Sequence, residues 1–137
     1  MIVIIDINIL LISLPKKSPY RPIFDALKDG KFELVISNDI LFEYHEKLAE
    51  KTSTSVADNV VKLLLSLDNV SLQYISFKWG IMQNDPDDNK YADCALIANA
   101  EFLVSEVRHF NIFQGIKLPA LKVIGIDAFL TYVISLP

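Results

Sequence analysis

A run of β-branched residues, Ile2-Val3-Ile4-Ile5, opens the sequence and ends at Asp6. A short run that is apolar at every position is typical of a strand covered on both faces, as in a parallel sheet. Residues 32–36, 102–105 and 121–126 are also interpreted as strands, and amphipathic segments separate them. This alternation predicts a mostly parallel central sheet with helices on both faces, which is a three-layer α/β/α fold.

Helices are predicted where apolar residues recur at helical spacing or where a helix-start cluster precedes the segment. After the helix-start residue Ser37, this spacing turns Leu41, Tyr44 and Leu48 toward the core. Glu43 lies beside that apolar stripe. The predicted helices are residues 9–13, 23–28, 40–51, 56–67 and 127–134 and a helix capped by Asp85, and a short strand is expected at 70–74.

The composition narrows the class of protein. A length of 137 residues and a hydrophobic content of 52% are typical of one globular domain, which we expect to span residues 1–137. The formal net charge of −4 gives no support for a protein that binds nucleic acid simply by being basic. Cys94, the single cysteine, excludes an intramolecular disulfide and a multi-cysteine zinc site, and its alanine-rich surroundings predict a buried residue.

Membrane and export signals are also missing from the sequence. No apolar run reaches the length of about 18 residues expected of a transmembrane helix. The apolar start lacks a basic region and is interrupted by Asp6, which argues against a signal peptide. We therefore expect a cytoplasmic protein that has no membrane partner.

Three acidic residues are expected at one edge of the predicted sheet. Asp6 ends the first strand, Glu43 lies early on the helix after the second, and Asp88 lies at the start of a helix before a later strand. In open α/β sheets the functional crevice lies beyond the carboxyl ends of the strands. Carboxylate oxygens are the ligands that Mg²⁺ and Mn²⁺ prefer, so a divalent cation would relieve the repulsion between such acids.

Four segments, in this order along the chain, resemble the PIN domain, and within it the toxin components of bacterial and archaeal toxin–antitoxin systems. The first matches a hydrophobic-Asp-x-Asn-hydrophobic pattern around Asp6. Each segment alone is weakly specific, but the ordered set is fairly specific. The segments are Ile4-Ile5-Asp6-Ile7-Asn8-Ile9-Leu10, Ser37-x-x-Ile40-Leu41-x-Glu43-Tyr44, Asp85-Pro86-Asp87-Asp88-Asn89-Lys90-Tyr91, and Ala100-Glu101-Phe102-Leu103-Val104-Ser105 followed by Arg108-His109-Phe110.

This resemblance implies a flavodoxin-like fold and a metal-dependent endoribonuclease that cleaves RNA phosphodiesters. Asp6, Glu43 and Asp88 would form the acidic triad that holds Mg²⁺ or Mn²⁺ and carries out catalysis. Asn8 would support the first loop, and Ser105 would line the site. The resemblance also implies a small antitoxin protein as a partner, with a segment that covers the crevice.

One position departs from the family pattern. Family members commonly carry an aspartate two residues after the Ser or Thr that ends this strand, and here that position is Val107. Glu106 is adjacent, but neighbouring residues on an extended segment point in opposite directions. Asp93 is a further acid, turned roughly 140° from Asp88 on a helix with about 3.6 residues per turn. We keep Asp93 and Glu106 as supporting candidates.

Each acid also has a purely structural interpretation. Asp6 would satisfy amides of the loop that follows its strand. Glu43 would form a solvated pair with Lys47, one helical turn away. Asp88 would stabilise the first turn of its helix through the helix dipole, next to the capping residue Asp85, and that role can coexist with metal ligation.

Other functional interpretations stay open. A degenerate PIN-fold module would bind RNA or a protein partner without turnover, and Val107 motivates this alternative. A phosphatase or receiver-like protein also uses clustered acids, but the chain has 4 glycines and no phosphate-binding glycine-rich loop. Trp79 and the apolar helix 56–67 would supply the interface of a homodimer. Arg108 and His109 are candidates for contact with a nucleic-acid phosphate.

Overall fold

The computed structural model describes residues 1–75, 89–106 and 121–137. Strands and helices alternate along most of this part of the chain, as the sequence predicts. In chain order the described elements are β1 (Ile2–Ile5), α1 (Ile7–Ser13), α2 (Arg21–Lys28), β2 (Glu33–Ile36), α3 (Asn38–Lys51), α4 (Thr54–Ser66), β3 (Val70–Leu72), α5 (Asn89–Ala98), β4 (Phe102–Val104), β5 (Val123–Ile124) and α6 (Ile126–Ile134).

Five strands, all parallel, form the sheet within the described residues, in the order β3-β2-β1-β4-β5. The prediction of a three-layer α/β/α fold with a mostly parallel sheet is confirmed. The first strand is central: Val3 pairs with Leu34 on one side and with Phe102 on the other. The chain leaves β1 toward β2 and later returns to β4 on the opposite side, so a topological switch point lies at the carboxyl end of β1.

The buried apolar residues form one continuous core on the two faces of this sheet. Val3 and Ile4 have no exposed surface, as expected for a strand covered on both faces. Phe129 on α6 packs edge-to-face on Phe32, with ring centroids 5.3 Å apart. Cys94 is fully buried, as predicted.

Side-chain caps set several helix boundaries earlier than periodicity predicts. The Asp6 side chain caps α1, which therefore begins at Ile7, and the Ser53 hydroxyl accepts a hydrogen bond from the Val56 N–H at 3.1 Å. Helix α4 accordingly begins at Thr54 rather than at residue 56. A cap fixes the first turn whether or not that turn carries apolar residues, so the apolar pattern alone places the start too late.

One predicted core-facing residue of α3 needs a correction. Tyr44 and Leu48 are buried as predicted, but Ile40 is fully buried while Leu41 is only half-buried. In α4, Val56 is 39% exposed and its neighbour Ala57 is fully buried. Ile40, Tyr44 and Leu48 follow one another at intervals of four residues, so the buried stripe of α3 runs through Ile40 and leaves Leu41 at its border.

Strand β1 has its predicted bounds, but the other four described strands are shorter than the segments that predict them. Strand β2 begins at Glu33, β3 ends at Leu72, β4 ends at Val104, and β5 spans only Val123–Ile124.

The longest described helix, α3, has 14 residues. Consequently no helix in the described ranges is long and apolar enough to cross a membrane. The extent of the domain, residues 1–137, stays a prediction.

Candidate functional site

Asp6 lies at the carboxyl end of the central strand and is only 5% exposed. Its Oδ1 accepts a hydrogen bond from the Asn8 N–H at 3.0 Å, and its Oδ2 accepts one from the Ser105 hydroxyl at 2.6 Å. Its own N–H donates to the Val104 carbonyl at 3.0 Å. The carboxylate is therefore fixed by two neutral donors, at a helix N-terminus where the dipole favours negative charge.

The sheet register explains why Ser105 reaches Asp6. Ile5 pairs with Val104 across β1 and β4, so the next residue on each strand lies at the same edge. Aspartate is a preferred N-cap residue, which keeps the Asp6 carboxylate at the start of α1. Asn8 supports this turn through its backbone N–H, and the residue itself is exposed.

Glu43 lies in the second turn of α3 and is held by residues from α5. The Lys90 ammonium lies 3.0 Å from Glu43 Oε2, and the two side chains are 21% and 15% exposed. The Tyr91 hydroxyl donates a hydrogen bond to Glu43 Oε1. The structural interpretation in which Glu43 pairs with Lys47 is wrong, because α5 packs on α3 and delivers Lys90 instead.

Tyr91 joins the Glu43 side of the site to the Asp6 side. Its hydroxyl oxygen accepts a hydrogen bond from the Ile7 N–H at 3.1 Å while its proton is donated to Glu43. The amide of Ile7 is the one that follows Asp6, so a single phenol oxygen spans the two carboxylate-bearing segments. Tyr91 is 1% exposed.

A second buried phenol, Tyr44, lies close by and contacts neither carboxylate oxygen in the described hydrogen bonds. Its hydroxyl donates to the Ile5 carbonyl. Burial away from water, together with the charge of Asp6, holds the pKa of Tyr44 well above its usual range. Burial, the neighbouring Tyr44 and the hydrogen bond to Glu43 likewise raise the pKa of Tyr91. Both phenols are therefore protonated donors at neutral pH.

The other predicted site residues are placed as follows. Asp93 lies on α5 and is 4% exposed, so this acid is buried in the protein rather than solvated. Glu106 follows Ser105 and is exposed. Outside the described residues lie Asp85, Asp87, Asp88, Val107, Arg108 and His109, together with Phe77 and Trp79.

Lys90 and Tyr91 are contacts of Glu43 that sequence reasoning did not identify. Both belong to the third of the matched segments, but neither was assigned a role there. A tyrosine on a helix that otherwise carries Ala92, Cys94 and Ala95 toward the core is a usable signal, because a buried phenol normally finds a hydrogen-bond partner. The identity of that partner depends on how α5 packs on α3.

The donor set near Asp6 suits a hard divalent cation. Asp6, Glu43 and Ser105 supply oxygen atoms only, which is the chemistry that Mg²⁺ and Mn²⁺ prefer. Across residues 1–75, 89–106 and 121–137, no group of three or more His, Cys, Asp or Glu side chains is placed to hold a metal ion. A site with three acids would thus need one from outside these ranges, and Asp88 is the predicted one.

A family model described as the PIN domain matches residues 2–109 of the chain. The chain belongs to the PIN domain family. The match runs from β1 past β4, so it includes Asp6, Glu43 and Ser105. PIN domains are generally nucleases.

A solved structure shows a similar fold. It is a chain in the crystal structure of VapBC2 from Rickettsia felis bound to a DNA fragment from their promoter. The alignment covers 91% of this chain and 98% of that chain, with a TM-score of 0.64 and 18% sequence identity. At this identity the likeness establishes the fold alone. No curated protein matches the chain.

Proposed function

We propose that this PIN domain is a metal-dependent endoribonuclease and the toxin component of a toxin–antitoxin pair. The observation that carries the proposal is the Asp6 carboxylate, buried and fixed at the end of the central strand, where Tyr91 links its loop to Glu43. Asp6, Glu43 and Asp88 would be both the metal ligands and the catalytic acids, with Asn8, Asp93, Ser105 and Glu106 in support. RNA phosphodiesters are the proposed substrate, and the proposed setting is the cytoplasm.

The protein needs a cation because its own charge opposes its substrate. The formal net charge is −4, and RNA is a polyanion. A bound Mg²⁺ or Mn²⁺ supplies positive charge that stabilises the charge developing on phosphate, and it acidifies water. Asp6 brings a carboxylate that is already ordered, so little of its side-chain freedom is lost when it binds a ligand.

Residues of the chain divide the remaining work. The Ser105 hydroxyl and the Asn8 N–H orient the Asp6 carboxylate. The Lys90 ammonium lies against Glu43 and offsets part of the repulsion between neighbouring acids. Arg108 and His109 are proposed to contact the RNA phosphates.

The partner proposal rests on two findings. The matched segments resemble PIN-domain toxins, and the solved neighbour is VapBC2 bound to promoter DNA. We propose that an antitoxin protein covers the crevice around Asp6. Homodimer formation through the α4 face is a further proposal, for which Leu65, 52% exposed on that helix, is the supporting observation.

The first test is RNA cleavage by the Asp6→Asn protein. Asparagine keeps the size and the capping oxygen but loses the charge, so we expect cleavage in Mn²⁺ to fall by at least about 100-fold. Asp58→Asn makes the same chemical change at an exposed residue paired with His45, and that protein should keep its activity. Wild-type rates for Asp6→Asn, after both proteins are treated with chelator and reloaded, would contradict the assignment.

A second candidate function is a PIN-fold module that binds RNA or a protein partner without turnover. Val107, which stands where the family pattern has a further acid, favours this alternative. Calorimetric titration with Mn²⁺ separates the two functions. Binding at or below millimolar metal supports the nuclease, whereas no binding in that range supports the module.

A further inference from the structure

We infer that Tyr91 is a positioning residue that fixes the Glu43 carboxylate relative to Asp6, and so sets the affinity of this site for a divalent cation. The inference rests on the proposed function, because it assigns a role toward the same cation. It concerns a residue that contacts a proposed ligand but supplies no carboxylate itself.

The Tyr91 hydroxyl lies between the Asp6 turn and Glu43. It accepts from the Ile7 N–H at 3.1 Å and donates to Glu43 Oε1, so both its hydrogen-bonding capacities are used. Ile7 N–H belongs to the turn that Asp6 caps. Any movement of Glu43 away from that turn therefore breaks a buried hydrogen bond or drags the phenol with it.

The Tyr91 side chain is held rigidly by its burial. The side chain is 1% exposed and is among the largest fully buried side chains of the protein. Its hydroxyl contacts two residues that are distant from Tyr91 in sequence. Ile7 is 84 residues away and Glu43 is 48 residues away. A buried ring of this size cannot change rotamer without displacing the core around it. The hydroxyl is thus a fixed point that ties the Glu43 carboxylate to the Ile7 N–H.

Lys90 and Tyr91 hold Glu43 in different ways. The Lys90 side chain is 21% exposed, and its ammonium is a point charge on a flexible four-carbon stem, so it attracts Glu43 Oε2 without fixing its direction. Tyr91 contacts the other oxygen, Oε1. Direction therefore comes from the phenol, and charge comes from the ammonium. Partners of metal ligands with this orienting role typically change metal affinity by about 10–100-fold when removed.

The test compares Tyr91→Phe with Tyr44→Phe. Each change deletes one buried phenol hydroxyl, but Tyr44 donates to the Ile5 carbonyl and not to a carboxylate. We expect Tyr91→Phe to weaken Mn²⁺ binding by about 10-fold, measured by calorimetry, and Tyr44→Phe to change it by less than about two-fold. Equal affinities for Tyr91→Phe and wild type, or equal losses in both variants, would overturn the inference.

A second measurement needs neither metal nor a Tyr91 variant. Glu43→Gln should shift the amide proton resonance of Ile7, because the phenol connects the two groups. Glu50→Gln is the matched control, since Glu50 lies on the same helix and pairs with Lys47 at 3.5 Å. An unmoved Ile7 resonance in Glu43→Gln overturns the positioning role, even if Tyr91→Phe does not fold.

The two experiments also separate this inference from the proposed function. A wild-type protein that binds no Mn²⁺ defeats the proposed metal site and, with it, the affinity role of Tyr91. The Ile7 measurement then still decides whether Tyr91 fixes Glu43. A wild-type protein that binds Mn²⁺ with unchanged affinity in Tyr91→Phe defeats only the inference.

Discussion

Asp6 and Glu43 lie at the same edge of the sheet, but the protein holds them in opposite ways. Asp6 is 5% exposed and accepts hydrogen bonds from two neutral donors, the Asn8 N–H and the Ser105 hydroxyl. Glu43 is more exposed and is held by a cation, Lys90, and by the phenol of Tyr91. The Asp6 carboxylate is held by the turn that follows β1 and by Ser105. The Glu43 carboxylate, on α3, is held by residues of another helix, α5.

This difference teaches how a cluster of acids can be assembled without mutual repulsion. The Asp6 charge is stabilised by dipoles that belong to the secondary structure itself, so its geometry is fixed once β1, α1 and β4 form. The Glu43 charge is balanced by the Lys90 ammonium, whose place an incoming cation would take. One ligand would therefore be preorganised, and the other would be exchangeable.

Alkaline pH should produce the largest loss of stability, because the buried phenols Tyr44 and Tyr91 contact both the Asp6 and the Glu43 sides of the site. The pKa values of Tyr44 and Tyr91 are raised in the folded protein, so the unfolded chain loses these protons first. The free energy of unfolding is then unaffected by these groups below pH about 10 and falls above it, by about 1.4 kcal/mol per pH unit for each phenol. The Asn8 N–H and the Ser105 hydroxyl, which both donate to Asp6, do not titrate in this range. Urea unfolding of wild type between pH 9 and about 11 measures the slope.

Two variants assign that alkaline loss to particular groups. Tyr44→Phe should flatten the slope above pH about 10 by the share of one phenol. Burial raises the pKa of the Cys94 thiol to about 12, against the opposing effect of the Ser37 backbone, so Cys94→Ala should remove a separate loss that begins near the ordinary thiol pKa of 9.0. If Tyr44→Phe has the wild-type slope, its phenol is not protected from ionisation.

Alanine substitutions should break the comparison at neutral pH. Asp6→Ala removes a helix cap and leaves the Ser105 hydroxyl without its acceptor in a buried place, so we expect a loss of about 2 kcal/mol in the free energy of unfolding. Glu43→Ala removes a partly exposed ion pair and one acceptor, and the expected loss is about 1 kcal/mol. Urea unfolding at pH 7 tests this order. A larger loss for Glu43→Ala would mean that the contacts of Glu43 stabilise the fold more than the turn capped by Asp6 does.

Removing the Lys90 charge should have the smallest effect, but in the informative direction. Lys90→Met frees Glu43 Oε2 from its ammonium partner, so Mn²⁺ should bind more tightly at low ionic strength, by about two- to five-fold. Lys47→Met deletes a similar lysine that pairs with Glu50 and should leave the affinity unchanged. Weaker binding in Lys90→Met would show that the ammonium helps to hold Glu43 for the metal, and the two carboxylates would then be equally preorganised.

The same contrast explains how much the sequence could predict. Asp6 follows an apolar run and precedes a helix, so local signals suffice to place its carboxylate at the sheet edge. Glu43 could be placed on α3 from helical spacing, but its partners could not be predicted. Lys47 is the nearest cation in sequence, and the packing of α5 on α3 brings Lys90 to Glu43 instead. Contacts between helices far apart in sequence leave no local pattern.

The limits of periodicity also appear in the core. The sequence pattern correctly predicts the parallel sheet and the burial of Tyr44 and Leu48. It misplaces Leu41, because Ile40 and Leu41 are adjacent apolar residues and both fit a helical spacing with Tyr44. The packing of α3 on its neighbouring helices selects Ile40, and that packing leaves no local pattern in the sequence.

The pairing of β1 with β4 has a consequence for synthesis of the chain. The Ser105 hydroxyl that orients Asp6 comes from 99 residues later in the sequence, and the Tyr91 hydroxyl comes from 84 residues after Ile7. A growing chain thus carries Asp6 before either of these contacts can form, because domains are made from the N-terminal end at about 5–20 residues per second. The fixed arrangement of Asp6 and Glu43 therefore assembles late, after α5 and the residue that follows β4 have been synthesised.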